Sequence, residues 1–250
     1  MVTIDSWIRS ETSSEAAAMK LRFASYNIHK AVGMDRRRDP ERIMAVLREL
    51  HADIIALQEA DRRIGAREAV LPRTLIDESP WQLVPVARRA QSMGWHGNAL
   101  LVRRDLVVAE HHALDMPTIE PRGAACAIVA DGKRHFRVIG THLDLSGLKR
   151  RDQVRSLLGF AGDHGDMPTV ILGDFNQWGV RTGAMREFAC DWGQIAPGPS
   201  YPSRRPVARL DRIVHCSGWT CHDAAVHHSA LAVIASDHLP ITADLELPLN

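Results

Sequence analysis

Two mixed β-sheets packed face to face, with helices on their outer faces, form the architecture written into this chain of 250 residues. Short apolar runs of strand length outnumber the helical stretches, and many neighbouring runs lie close enough in sequence to pair as hairpins. Hairpins make antiparallel neighbours, so the sheets are expected to be mixed rather than all-parallel.

Residues 21–28 alternate through their middle and read as the first strand. Asp39-Pro40-Glu41 then starts a helix, with an N-cap Asp, Pro at the first helical position and acid in the first turn. Its apolar positions Ile43, Met44, Leu47 and Leu50 fall at helical spacing. Residues 53–57 form a short apolar run suited to a buried strand. Strand-like runs follow at 82–87, 97–103, 106–114, 124–130 and 135–143. A second helix is predicted over 148–161, with Val154, Leu157, Leu158 and Ala161 on one face. Residues 169–172 form another buried strand, ending in Gly173-Asp174-Phe175-Asn176. A short helix is expected at 182–190, and the four prolines between Pro197 and Pro206 mark a loop. Strands are expected at 209–215, 219–227 and 239–247. The string from His215 and Cys216 to Cys221 and His222 reads as a hairpin turning at Ser217-Gly218, in preference to a zinc knuckle.

One domain over residues 20–250 is expected, behind a flexible tail at 1–19. The hydrophobic fraction of 45% and charged fraction of 24% suit a globular protein rather than a disordered or fibrous one. No run of about 18 apolar residues is present, so no membrane span is expected. Lys and Arg number 31 against 30 Asp and Glu, which gives no global field to draw nucleic acid or acidic lipid. The first 20 residues lack the apolar stretch of a signal peptide, and none of the four cysteines forms C-x-x-C. A reduced, cytoplasmic monomer is the expectation.

Polar residues gather where the apolar strands stop. Asn27 and His29 end the first strand, and Gln58 and Glu59 end the second. Thr141 and His142 end the run that starts near His135, while Asp174 and Asn176 end the one that starts near Thr169. Asp211 lies inside an apolar strand, and Asp237-His238 precede the last. An acid in or just after an apolar strand is costly unless paired or metal-bound. Repetition at strand ends points to a common mouth. Carboxylate and amide oxygens dominate, which suits Mg²⁺ or Mn²⁺ rather than structural zinc. Histidines beside them can donate to phosphoryl oxygens or move protons. Metal-assisted hydrolysis of a phosphate ester is the reaction class this set supports.

Seven motifs occur in order: Ser25-Tyr26-Asn27, Leu57-Gln58-Glu59, Gly97-Asn98-Ala99-Leu100-Leu101, Gly140-Thr141-His142-Leu143, Gly173-Asp174-Phe175-Asn176, Leu210-Asp211-Arg212-Ile213 and Ser236-Asp237-His238-Leu239-Pro240. Together they resemble the endonuclease/exonuclease/phosphatase superfamily, also called deoxyribonuclease-I-like, over about residues 21–247. The resemblance implies a four-layer α/β/β/α sandwich and a divalent-metal-dependent phosphoesterase. It implies Glu59 as the principal metal ligand, with Asn27 beside it and Asp237 near or on the metal. Asp174 would orient or deprotonate the attacking water, and Asn176 would hold that water or the phosphate. His238, steered by Asp211, would contact the phosphate, with His142 as a second contact or as the acid for the leaving oxygen. Both a one-metal and a two-metal site are compatible. Abasic-site endonucleases of the superfamily carry Asp two residues after the first-strand Asn; here the position is His29, as in small bacterial members.

Phosphodiester hydrolysis leads, on nucleic acid, a phospholipid head group or a small phosphodiester. A phosphomonoesterase acting on a polyphosphorylated ligand such as an inositol phosphate is the alternative enzyme, and a catalytically silent binding module on the same fold is the alternative of another class. Asn98, Arg122, Arg36 and His29 are candidate substrate contacts, with Arg36 placed to overhang the site and bind a second phosphate. Trp95 and Trp178 lie beside motifs and are the candidates for stacking. No obligate protein partner is implied.

Overall fold

A computed structural model describes residues 18–63, 65–118, 122–132, 134–188 and 190–248. The expected tail falls outside them up to residue 17, and the first strand, β1, runs over Met19–Asn27. It is followed by α1 (Pro40–Glu49), β2 (Ile54–Gln58), α2 (Arg73–Asp77), β3 (Trp81–Leu83), β4 (Ala99–Arg103), β5 (Val107–Asp115), β6 (Gly123–Asp131), β7 (Arg134–His142) and α3 (Gly147–Asp163). The chain continues through β8 (Thr169–Asp174), β9 (Gly193–Ile195), β10 (Asp211–His215), β11 (Thr220–Val226), α4 (Ala232–Ala235) and β12 (Ile241–Leu247). Single 3₁₀ turns occupy His29–Ala31 and Gly183–Glu187.

The strands form two six-stranded sheets, in the orders β11-β12-β1-β2-β4-β3 and β5-β6-β7-β8-β10-β9. In each, one parallel pair lies among antiparallel ones: β1 with β2, and β7 with β8. Both sheets are therefore mixed, as expected. The sheets meet through alternate side chains. Phe23, Ile54, Val138, Val170, Leu172 and Ile213 share the inter-sheet core. The intervening residues face outwards. Ala24, Tyr26, Ile55 and Leu57 pack against Ile43, Met44 and Leu47 of α1, and Ile139, Ile171 and Val214 against Val154 and Leu157 of α3. Helix, sheet, sheet and helix thus make the four layers.

Local signals explain the helices. Asp39 caps α1, its carboxylate accepting from Arg42 N at 2.9 Å, with Pro40 next in line. At the far end of α3, the fully buried Arg137 of β7 donates to the carbonyls of Ala161 at 2.8 Å and His164 at 2.7 Å. A cation there satisfies orphan carbonyls and opposes the negative end of the helix dipole.

One expectation is corrected. The segment around Ser217-Gly218 is not a hairpin: β10 pairs with β8 and β9, whereas β11 pairs with β12 in the other sheet. The chain crosses between sheets there, so Cys216 and Cys221 lie in different layers. Cys216 Sγ instead accepts from Thr169 N at 3.2 Å. All four cysteines are free. Among the described residues no helix is long and apolar enough to cross a membrane.

Candidate active site

Register brings the polar strand ends together. Across the second sheet, His142 pairs with Asp174, and Asp174 pairs with Asp211. Residues in register point to the same face. His142, Asp174 and Asp211 continue the alternation of Phe136, Leu172 and Ile213, so all three face the gap between the sheets. In the first sheet Asn27 continues the alternation of Phe23, and it pairs with Gln58. Glu59 follows with φ 56°, which turns it out of the strand into the mouth. β12 runs antiparallel to β1, so Asp237 and His238, just before it, arrive at the same end. The site is thus the end of the inter-sheet core, where apolar side chains give way to polar ones.

Close backbone approach is part of this geometry. A Cβ on Gly173 would lie 1.8 Å from Thr141 O, so only glycine fits between the residues that carry His142 and Asp174.

Asp174 is the hub. Its Oδ2 accepts from Asn27 Nδ2 at 3.1 Å and lies 3.4 Å from His142 Nε2 and 3.6 Å from His238 Nε2. Its Oδ1 accepts from Asn176 N at 2.9 Å, and Asn176 Nδ2 in turn donates to Leu143 O at 2.9 Å. Burial works to raise its pKa, but the two imidazoles and these hydrogen bonds outweigh burial and hold it below the usual carboxylate range. The two histidines diverge. Burial pushes His142 down to about 4, so its ring is neutral. Burial also opposes charge on His238, yet Asp211 and Asp174 raise it to about 10, so it is an imidazolium. Asp211 Oδ2 lies 2.9 Å from His238 Nδ1 and accepts from Ser200 Oγ as well. Burial raises the pKa of Asp211 itself.

Asn27, Glu59, Asp174, Asn176, Asp237, His142 and His238 line one cleft, joined by Arg63, Arg122, Leu145, Trp178, Tyr201 and Leu210. Glu59 also pairs with the Lys30 ammonium. Burial would raise its pKa, but His142 and Lys30 bring it below the ordinary value. Two donor sets for a divalent cation share this cleft. Asp174, Asp211 and His238 each offer a ligand atom within 4.8 Å of the others. Glu59, Asp237 and the amide oxygen of Asn27 offer hard oxygens only.

The other expected contacts are placed differently. Asn98 is fully buried, and its amide donates to Gly123 O at 2.9 Å, so it ties two segments together behind the cleft. Arg36 is exposed, and it is not among the residues that line the cleft. His29 backs Asp237, with Nδ1 3.0 Å from Val32 O and 3.9 Å from Asp237 Oδ1. Arg122 does line the cleft. Of the two tryptophans, Trp178 lines it and is 65% exposed, whereas Trp95 packs under Arg88 with its Nε1 donating to Leu114 O. Sequence reasoning missed Tyr201, whose ring lies 4.8 Å from that of His238, and Lys30, which pairs with Glu59. A lone aromatic among the prolines of 197–206 was the available signal for Tyr201.

No curated protein sequence matches the chain. Solved structures do share its fold. An endonuclease/exonuclease/phosphatase family protein from Bacteroides thetaiotaomicron superposes with TM-score 0.74 at 16% identity, covering 93% of this chain and 100% of that one. A mannosyl-6-phosphatase of the same species gives TM-score 0.70 at 17% identity, covering 90% and 99%. The catalytic domain of human Nocturnin with a bound sulfate gives 0.69 at 19% identity, covering 90% and 94%. The sequence profile of the Endonuclease/Exonuclease/phosphatase family matches residues 24–238, a span that starts inside β1 and ends on His238. With the motifs, the two-sheet sandwich and this match in agreement, the chain belongs to the endonuclease/exonuclease/phosphatase family.

Proposed function

We propose that this protein is a divalent-metal-dependent phosphoesterase that hydrolyses phosphodiester bonds by in-line attack of water. The observation that carries the reading is the convergence of Asn27, Glu59, His142, Asp174, Asn176, Asp237 and His238 on one cleft. A merely structural account would need separate reasons for each at the end of a different strand.

The oxygens of Glu59, Asn27 and Asp237 fit Mg²⁺ or Mn²⁺ better than the Asp174, Asp211 and His238 set. The first set offers oxygens alone, whereas the second includes an imidazole nitrogen, which suits these hard cations less well. A cation on the Glu59 side would act as a Lewis acid on a phosphoryl oxygen. The side chains supply the rest. Asp174 is ionised and accepts a hydrogen bond from the attacking water. Its low pKa makes it a weak base, so its role is to orient, taking the proton only as the new P–O bond makes the water acidic. Asn176, pinned by Leu143 O, holds the phosphate beside it. His238 places a fixed positive charge against the charge that develops on the phosphoryl oxygens, and Asp211 keeps that ring oriented. Neutral His142 adds a hydrogen-bond donor.

A panel of bis(p-nitrophenyl) phosphate, single-stranded DNA, RNA, phospholipid vesicles and inositol phosphates, with Mg²⁺ or Mn²⁺, tests the proposal against Asp174→Ala. Metal-dependent release from a diester that is lost in the variant supports it. Release only from monoesters moves the assignment to a phosphatase. No turnover of any substrate, with metal bound, leaves a binding module.

A further inference from the structure

A side pocket opens off the cleft and shares Glu59, Arg63, Arg122 and His142 with it. Five cationic side chains, Lys30, Arg62, Arg63, Arg67 and Arg122, line it against two carboxylates, Glu59 and Asp61. The whole chain carries a net charge of only +1, so this excess is local. We propose that the side pocket is a second anion site, which takes a phosphate group of the substrate other than the one hydrolysed. The inference rests on the phosphoesterase reading and narrows it to esters that bear a second phosphoryl group.

Of the five cations, Arg62 pairs with Glu68 at 2.8 Å, and the two carboxylates of the lining have partners of their own. Glu59 faces Lys30. Asp61 is buried, its Oδ1 accepting from Met93 N at 2.7 Å, so it serves as a strut between its own loop and the turn before β4. That loop is held elsewhere too. Ala60 N donates to Gly97 O at 2.9 Å, Asp61 and Ala69 bridge its ends, and Ser92 Oγ donates to Arg67 O at 2.7 Å. A solvated face of charges needs no such struts. Arg67 itself meets the His96 ring, whose pKa is lowered by burial and by Arg67, so the neutral ring accepts from the guanidinium and orients it.

Backbone strain is concentrated around the same pocket. His29, Lys30 and Ala31 are three successive left-handed residues, with φ of 45°, 56° and 58°. Each is disfavoured for an L-residue, whose Cβ crowds the following carbonyl oxygen there. Asn27 Oδ1, accepting from His29 N at 3.1 Å, and full burial of Ala31 hold the turn. Its outcome is to bring Lys30 over Glu59. Arg67 and His96 are left-handed as well, each with φ 51°. Strain of this kind persists where the surroundings impose it, and it clusters at ligand sites. Arginine forks suit phosphate, which they bind through two parallel hydrogen bonds.

The test compares the p-nitrophenyl ester of thymidine 5′-phosphate, which has one phosphate, with the same compound carrying a 3′-phosphate. The expected kcat/KM ratio favours the second by about tenfold, with the gain in KM and with the gain shrinking as salt is added. In Arg62→Ala/Arg67→Ala the ratio falls towards one, and Arg62→Ala alone falls part of the way. Arg151→Ala, an exposed position on α3, keeps the wild-type ratio. A wild-type ratio near one, or a double variant with the wild-type ratio, overturns the inference. Calorimetry separates this failure from failure of the enzymatic reading, because it needs no turnover. Thymidine 3′,5′-bisphosphate should bind about tenfold tighter than thymidine 5′-phosphate, and equal binding overturns the site even in an active enzyme. A further gain for a trinucleotide assigns the second phosphate to a nucleic-acid strand, and equality with the bisphosphate assigns it to a small molecule.

Discussion

His238 and Asp211 face each other at the end of the sandwich, the ring Nδ1 2.9 Å from the carboxylate Oδ2, while the other ring nitrogen lies 3.6 Å from Asp174. An imidazole between two buried acids is a fixed cation, and its titration carries the first prediction. Its pKa is raised from about 6.5 to about 10 against the pull of burial. The folded state therefore holds a proton that the unfolded state releases near 6.5. The stability from this group is full below 6.5, falls as pH rises, and is gone beyond about 10. Urea unfolding of the wild type should weaken between pH 7 and 10 more than that of His238→Gln. Ring ¹⁵N shifts should show an imidazolium at pH 8, and Asp211→Asn should lower the ring's pKa by more than one unit. A neutral wild-type ring at pH 8 would remove the fixed cation from the proposed chemistry.

The second prediction concerns the competition at Glu59. Its carboxylate is paired with the Lys30 ammonium and also lines the cleft as a candidate metal ligand. A divalent cation and Lys30 contend for it. Mn²⁺ titrated without substrate should bind at least tenfold more weakly to Glu59→Gln, and more tightly to Lys30→Met. Unchanged affinity in Glu59→Gln would take Glu59 off the ligand set.

Much of this site is legible in the amino-acid sequence alone. Strand ends that exchange apolar for polar residues marked Asn27, Glu59, His142, Asp174 and Asp237, and register then explains why they converge. The helix at α1 followed from Asp39-Pro40. Other features left no local trace. Ser217-Gly218 has the chemistry of a turn, but the same chemistry serves a hairpin and a crossing between sheets, and only the pairing of the flanking strands in different sheets separates them. The left-handed turn at His29–Ala31 contains no glycine, so nothing announces it. Arg73–Asp77, Gly193–Ile195 and Ala232–Ala235 are too short for a period to register. Asn98 stands in a motif and so reads as a ligand contact, yet it is fully buried and its amide nitrogen donates to Gly123 O.

The third prediction tests the close approach that aligns the site. Thr141 and Gly173 are register partners, and a methyl on Gly173 would meet Thr141 O at 1.8 Å. The obstacle is backbone, so β7 and β8 must separate. Gly173→Ala should lose about 1–3 kcal/mol or more of stability. The residual folded protein should also lose turnover, because the neighbouring residues carry His142 and Asp174. A variant with wild-type melting temperature would show that the two strands part without cost.

Arg212 carries the fourth prediction. It is buried beside Asp211, and its Nη2 donates to Gln177 O at 2.6 Å and Gly179 O at 3.1 Å. Its Nε and Nη1 have no partner, and burial lowers its pKa to about 10. A guanidinium kept charged in such surroundings is expensive, and its return is the position of the loop that follows Asn176. Arg212→Met relieves the buried charge but orphans two carbonyls, so the net loss of stability should be modest, about 1–3 kcal/mol. Turnover should fall further than stability does, by tenfold or more in kcat at a temperature where the variant is fully folded. Mn²⁺ affinity should hold, since Glu59, Asn27 and Asp237 lie on the other sheet. Activity that merely tracks the folded fraction would reduce Arg212 to a packing residue, and loss of Mn²⁺ binding would mean that the loop after Asn176 reaches the metal.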